Sequence, residues 1–243
     1  MTELDFSGRL IVITGVGRAG QVGEAIALGF ARRGATLALL DVQPTEVEAR
    51  AAALTAQGFI ASAHGANLAD TAAASNAAAE IIAQTREKCG GAVHAVICVA
   101  GGFGMTGPLD STDAAAWQKQ FTINLDTAYN ATRAFLPAVR AAQGSFVYFG
   151  SAAALPGGKV AGISAYTAAK SGVLALMRAV AADERAHGVR ANAVAPTQIR
   201  TAANLDTMGA DKDYVERESV SDVVVFLASA LARNISGQVI TLA

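Results

Sequence analysis

Charge is scarce in this chain of 243 residues: 16% are Asp, Glu, Lys or Arg, and 19 basic side chains face 20 acidic ones. So even a balance, with no basic block, gives no electrostatic footprint for nucleic acid. Cysteine is nearly absent. Cys89 and Cys98 are nine positions apart, too few for a disulfide framework and at no metal-binding spacing. That usage suits a reducing, cytoplasmic compartment. His64, His94 and His187 are scattered, so no zinc cluster or other metal site is expected. No apolar run approaches the roughly 18 residues of a membrane span. The start, MTELDFSGRL, carries acids and no apolar core, unlike a secretory leader.

What is abundant is aliphatic. Hydrophobic residues make up 52% of the chain, much of it alanine. The mean hydropathy of +0.35 is high for a soluble protein and suggests surface buried between subunits.

Short β-branched runs alternate with amphipathic stretches. RLIVIT (9–14), ATLALLD (35–41), FIASAHGAN (59–67), AVHAVICVAGG (92–102), SFVYFGS (145–151), VRANAVAP (189–196) and GQVITL (237–242) read as strands. Helical patterns separate them, the longest over 113–142, where Pro137 is expected to bend or shorten it. Strands divided by helices imply parallel pairing through right-handed crossovers. The strands lack polar alternation, as expected when both faces of a sheet are covered. The expected fold is α/β: one doubly wound, Rossmann-type domain over 1–243, with a parallel sheet of about seven strands.

TGVGRAGQVG (14–23) lies between a predicted strand and a predicted helix. Gly15 permits a tight turn, and later glycines let backbone approach a ligand. The helix end behind them offers free N–H groups to a pyrophosphate. The alternative is an ordinary glycine-rich loop. Asp41 ends the second strand, where a carboxylate can accept from adenosine ribose hydroxyls and repel a 2′-phosphate. NAD is therefore favoured over NADP. Asp41 can equally start a turn. Arg18, inside the loop, can meet a 2′-phosphate or pair with Asp41.

Tyr166 and Lys170 stand four apart on a predicted helix and share a face. An ammonium beside a phenol favours the phenolate, and such a tyrosine can exchange a proton with an alcohol or carbonyl oxygen. A surface pair is the plain alternative. Ser151, at the end of the fifth strand, can steady a substrate oxygen or merely cap a loop. Asn124, in a helical stretch, can hold a water, bend the helix or be a tolerated polar residue. Phe103 and Met105 can wall a substrate site or belong to the core.

Taken together, these residues resemble the short-chain dehydrogenase/reductase family along nearly the whole chain. The glycine turn, Asp41, Asn67-Leu68, Trp117, Asn124, Ser151, Tyr166 with Lys170, and Pro196-Thr197 match its motifs in order. The resemblance implies an NAD(P)-dependent oxidoreductase that interconverts a secondary alcohol and a carbonyl. Tyr166 would be the acid/base, Lys170 would hold the nicotinamide ribose and lower the tyrosine's pKa, and Ser151 would orient the substrate oxygen. Asn124 would hold a water in a proton relay. Cofactor contacts would fall on Gly15, Gly17, Arg18, Val22 and Gly23, on Asp41 and Val42, and on Asn67 and Leu68. Ala100 and Gly101, Pro196, Ile199 and Thr201 would complete them, with Tyr166 and Lys170. A short, polar substrate lid over 201–218 and a homotetramer or dimer are implied.

Departures are also present. The glycine turn is two residues longer than the family's, and Cys98-Val99 replaces two amides that normally tie neighbouring strands. The Ser-to-Tyr spacing is longer, and Thr197 stands where the family has glycine. Two alternatives follow: an NADPH-dependent 3-oxoacyl-carrier-protein reductase-like enzyme, or a non-catalytic dinucleotide-binding protein.

Overall fold

The structure, a computed structural model, describes residues 4–243. The reading of the N-terminal start as no leader therefore lies partly outside the described residues. Seven strands form one parallel sheet: β1 (Leu10–Thr14), β2 (Thr36–Asp41), β3 (Ile60–Gly65), β4 (Ala95–Cys98), β5 (Ser145–Phe149), β6 (Arg190–Pro196) and β7 (Val239–Leu242). Their spatial order is β3-β2-β1-β4-β5-β6-β7. The chain reverses direction across the sheet between β1 and β4, which opens a crevice at the carboxyl ends of those strands.

The uninterrupted apolar strands are explained by two cores. Leu10 and Val12 of β1 pack on one face, with α3 (Thr71–Cys89), α5 (Thr127–Ala142) and α6 (Ser164–Asp183). Ile11 and Ile13 pack on the other, with α1 (Val22–Ala31), α2 (Pro44–Thr55) and α8 (Arg217–Ala228). Both side-chain sets of each central strand are buried, so no polar alternation survives. Two further helices, α4 (Ala114–Phe121) and α7 (Ala202–Met208), border the carboxyl edge. Among the described residues, no helix is long and apolar enough to cross a membrane.

The long helical stretch departs from expectation. α5 continues through Pro137 to Ala142, so proline does not end it. The irregularity lies earlier, in a π-helical stretch over Thr122–Asp126 that joins α4 to α5. The polar segment after β6 also holds the short helix α7.

Candidate active site

β1 ends in Thr14, whose buried hydroxyl accepts from the Val99 and Ala100 N–H groups, both at 3.1 Å. It donates to the Ile97 carbonyl at 3.3 Å. One threonine thus ties β1 to the turn after β4, where Cys98-Val99 offers no amide side chain. The sequence reading missed this role. Its signal is a polar residue closing an otherwise apolar strand.

Gly15 turns left-handed, with φ of 74°, and a Cβ there would lie 2.8 Å from the Ala100 backbone. At Gly23 a Cβ would lie 2.5 Å from the Gly15 carbonyl oxygen. Both glycines are therefore required by close backbone approach. Gln21, before α1, places no side-chain bond on the N–H groups of the first helical turn. This cradle fits a pyrophosphate. The Asp41 carboxylate reaches the same turn, since a Cβ on Gly17 would sit 2.7 Å from its Cγ. Asp41 also accepts from Gln43 N at 3.0 Å, so the turn-starting role is real as well. Arg18 is exposed and forms no ion pair with Asp41 among the described residues.

The lengthened turn has a support that the sequence did not announce. Glu24, in the first turn of α1, accepts from Gly20 N at 2.7 Å. Its other oxygen meets Arg50 of α2 at 2.9 Å, and Arg217 of α8 stands 3.6 Å away. Across the crevice, Gly20 accepts from Ala202 N at 3.0 Å, joining the turn to the start of α7. Thr201 caps α7 by accepting from Asn204 N, and Asn204 donates to the Ile199 carbonyl. These bonds fix the backbone from Ile199 to Thr201, which follows Pro196 at the carboxyl end of β6. Val42, exposed, and Asn67, whose side chain closes a local turn on Ala69 N, lie at the ends of β2 and β3. The Leu68 side chain packs into the core, and its carbonyl accepts from Asn130.

At the β4–β5 end, Asn124 is buried and grips the loop after β4. Its Oδ1 accepts from Gly102 N at 3.2 Å, and its Nδ2 donates to the Gly102 and Gln120 carbonyls, both at 3.0 Å. These bonds accompany the π-helical stretch, and a side chain aimed out of the helix replaces the regular ladder there. Lys170 lies beside the same loop: a Cβ on Gly101 would meet Asn124 Oδ1 at 2.6 Å and Lys170 Nζ at 3.4 Å.

Lys170 donates to the Phe149 carbonyl at 2.9 Å, at the end of β5. Burial lowers its pKa to about 8. Its Nζ is 5.9 Å from the centre of the Tyr166 ring. Ser151 both caps the turn after β5, accepting from Ala153 N, and contacts the Tyr166 side chain. Burial raises the Tyr166 phenol, and the Ser151 contact pulls it partway back. The expected lowering by Lys170 is thus not what the fold produces. Desolvation of the buried phenol outweighs the opposing Ser151 contact. Such a phenol is a proton donor at neutral pH.

Phe103 and Met105 are not core. They are 64% and 72% exposed, and the Phe103 ring packs edge-on to Tyr166 at 5.1 Å. Among the described residues, no group of His, Cys, Asp and Glu could hold a metal ion.

The chain matches the family model described as enoyl-(acyl carrier protein) reductase over residues 15–242. It is 33% identical to 2-(S)-hydroxypropyl-CoM dehydrogenase 3 of Xanthobacter autotrophicus, over 94% of this chain and 92% of that one. It is 29% identical to cyclohexanol dehydrogenase of an Acinetobacter species, over 96% and 92% of the two chains. The crystal structure of a short-chain type dehydrogenase/reductase from Mycobacterium ulcerans superposes with a TM-score of 0.87 at 26% identity, over 98% and 89%. The chain belongs to the short-chain dehydrogenase/reductase family, as an oxidoreductase of CH–OH groups.

Proposed function

We propose that this enzyme interconverts a secondary alcohol and its carbonyl with NAD, using Tyr166 as the acid/base. The observation that carries the reading is the convergence of Ser151, Tyr166 and Lys170 at the carboxyl edge of β5, beside the glycine cradle and Asp41. Bound NAD supplies the hydride acceptor, and its reduced form the donor.

In the oxidative direction, the Tyr166 phenolate takes the hydroxyl proton of the alcohol as the C–H bond gives up its hydride. In the reductive direction, the neutral phenol returns that proton to the carbonyl oxygen. Ser151 holds the reacting oxygen against the phenol. Lys170, anchored on the Phe149 carbonyl, places its positive charge beside the Tyr166 ring, where it would hold the ribose hydroxyls of a bound cofactor. Asn124 fixes the Gly101–Gly102 backbone that borders Lys170. Asp41 would accept from the adenosine ribose hydroxyls of a bound cofactor and would disfavour a 2′-phosphate. Residues 201–218 act as the lid over bound substrate.

Two buried free cysteines fit a reducing cytoplasm. Half-exposed Tyr129 on α5 supports a homodimer or homotetramer.

The test is cofactor turnover. Purified enzyme with a secondary alcohol is expected to reduce NAD at 340 nm with accumulation of ketone, and NADP much more slowly. Asp41→Ala narrows that preference. Equal use of both cofactors by the parent enzyme contradicts the assignment of Asp41.

A further inference from the structure

We propose that the substrate is a neutral secondary alcohol or ketone bearing an apolar ring or branched alkyl group, seated against Phe103 and Met105. The inference rests on the oxidoreductase reading above and names the class of molecule that site accepts.

The loop after β4 is anchored at alternate residues. Gly102 is held at both backbone groups by Asn124. Gly104 lies against Gln120, where a Cβ would meet Nε2 at 2.5 Å. Thr106 N and Gly107 N both donate to the Gly162 carbonyl, at 3.0 and 3.1 Å. Between these anchors, Phe103 and Met105 are presented to solvent, and Met105 Cε would lie 3.7 Å from a Cβ on Gly162. A pinned loop has no entropic reason to expose two large apolar side chains, and their hydration opposes folding. The Phe103 ring at 5.1 Å from the Tyr166 ring makes an apolar wall continuous with the catalytic phenol. Val160, on the loop that holds Gly162, is likewise exposed, at 47%.

The charge pattern completes the inference. Residues 102–109 carry no charged side chain, and 152–164 carry only Lys159. The lid, 201–218, holds five acidic and two basic residues. Arg217 in it is engaged by Glu24 and Glu218, and neighbouring Arg200 by Glu216. A carboxylate or phosphate on the substrate would meet net negative charge from the lid and, among the described residues there, no free arginine fork, with Lys159 the one cation over 152–164. A polyol would leave its hydroxyls unpaired against Phe103 and Met105.

The test compares kcat/KM for cyclohexanol, 2-propanol, 3-hydroxybutyrate and galactitol at saturating NAD. Cyclohexanol is expected to exceed both 3-hydroxybutyrate and galactitol by about a hundredfold. Phe103→Ala is expected to lower the cyclohexanol to 2-propanol ratio by about tenfold. A preference for the acid or the polyol overturns the inference while leaving the oxidoreductase reading in place. An unchanged ratio in Phe103→Ala also overturns it, and gives the exposed side chains to a subunit contact. No turnover of any of the four, with NADH binding retained, removes the reading of the reaction and the inference with it.

Discussion

Asn124 clasps Gly102 by both ends of its amide, accepting from the glycine N–H at 3.2 Å and donating to its carbonyl at 3.0 Å. The clasp fixes the loop that carries Phe103 on one side and borders Lys170 on the other. Asn124→Ala leaves the Gly102 groups and the Gln120 carbonyl without their buried partner. The expected cost is about 2 kcal/mol of stability, read as a lower melting temperature, with kcat reduced by about tenfold or more. Full activity with a normal melting temperature would show that the π-helical stretch holds itself.

The burial of Lys170 has a stability sign that can be checked. Its folded pKa of about 8 lies below the ordinary 10.5, so the unfolded chain binds that proton more readily between those values. The penalty is fully present below pH 8 and fades as pH rises towards 10.5. Lys170→Met removes the charge and orphans the Phe149 carbonyl, which offsets part of the gain. At pH 7 the variant is expected to be more stable by roughly 1 kcal/mol, or about 2–4 °C, and inactive. The gain should shrink in melting curves above pH 10. A variant less stable at pH 7 would show that the bond to Phe149 outweighs the buried charge.

Much of the fold is legible in the sequence because both sheet faces are covered: LIVIT and TLALLD read as buried strands without ambiguity. Pro137 misleads, since proline's local cost is visible in a sequence and the long-range bonds of Asn124 to Gly102 are not. The glycines, Asp41, Ser151, Tyr166 and Lys170 are legible as a set through their order on the elements. Thr14, Gln120 and Glu24 are not, because each acts on residues that only folding brings near. The direction of the Tyr166 shift is hidden for the same reason: spacing reveals the neighbouring amine, whereas burial of the phenol decides the sign.

The raised phenol sets the pH dependence of the two directions. Alcohol oxidation needs the phenolate, so its kcat is expected to rise steadily from pH 7 into the alkaline range. Carbonyl reduction uses the neutral phenol and is expected to stay level, then fall as the phenol ionises. Parallel pH profiles in both directions check this. An oxidation rate already flat above pH 7 would mean that the holoenzyme lowers the phenol far more than the fold raises it.

Glu24 shapes the long glycine turn through Gly20 and is itself neutralised by Arg50 and Arg217. Glu24→Ala frees the turn and is expected to raise the NADH dissociation constant by about tenfold, measured by fluorescence titration. Glu24→Gln, which keeps an acceptor for Gly20 N, should lose less. Tighter binding by the alanine variant would show that its charge, close to the phosphate position, matters more than the shape it imposes.

The central claim is that one phenol moves the proton while the hydride passes to the nicotinamide. Tyr166→Phe removes a single oxygen and keeps the ring against Phe103. Measured on the same preparation, kcat for a turned-over alcohol is expected to fall about a thousandfold, while the NADH dissociation constant stays within about threefold. Turnover within a few-fold of the parent enzyme would contradict the account.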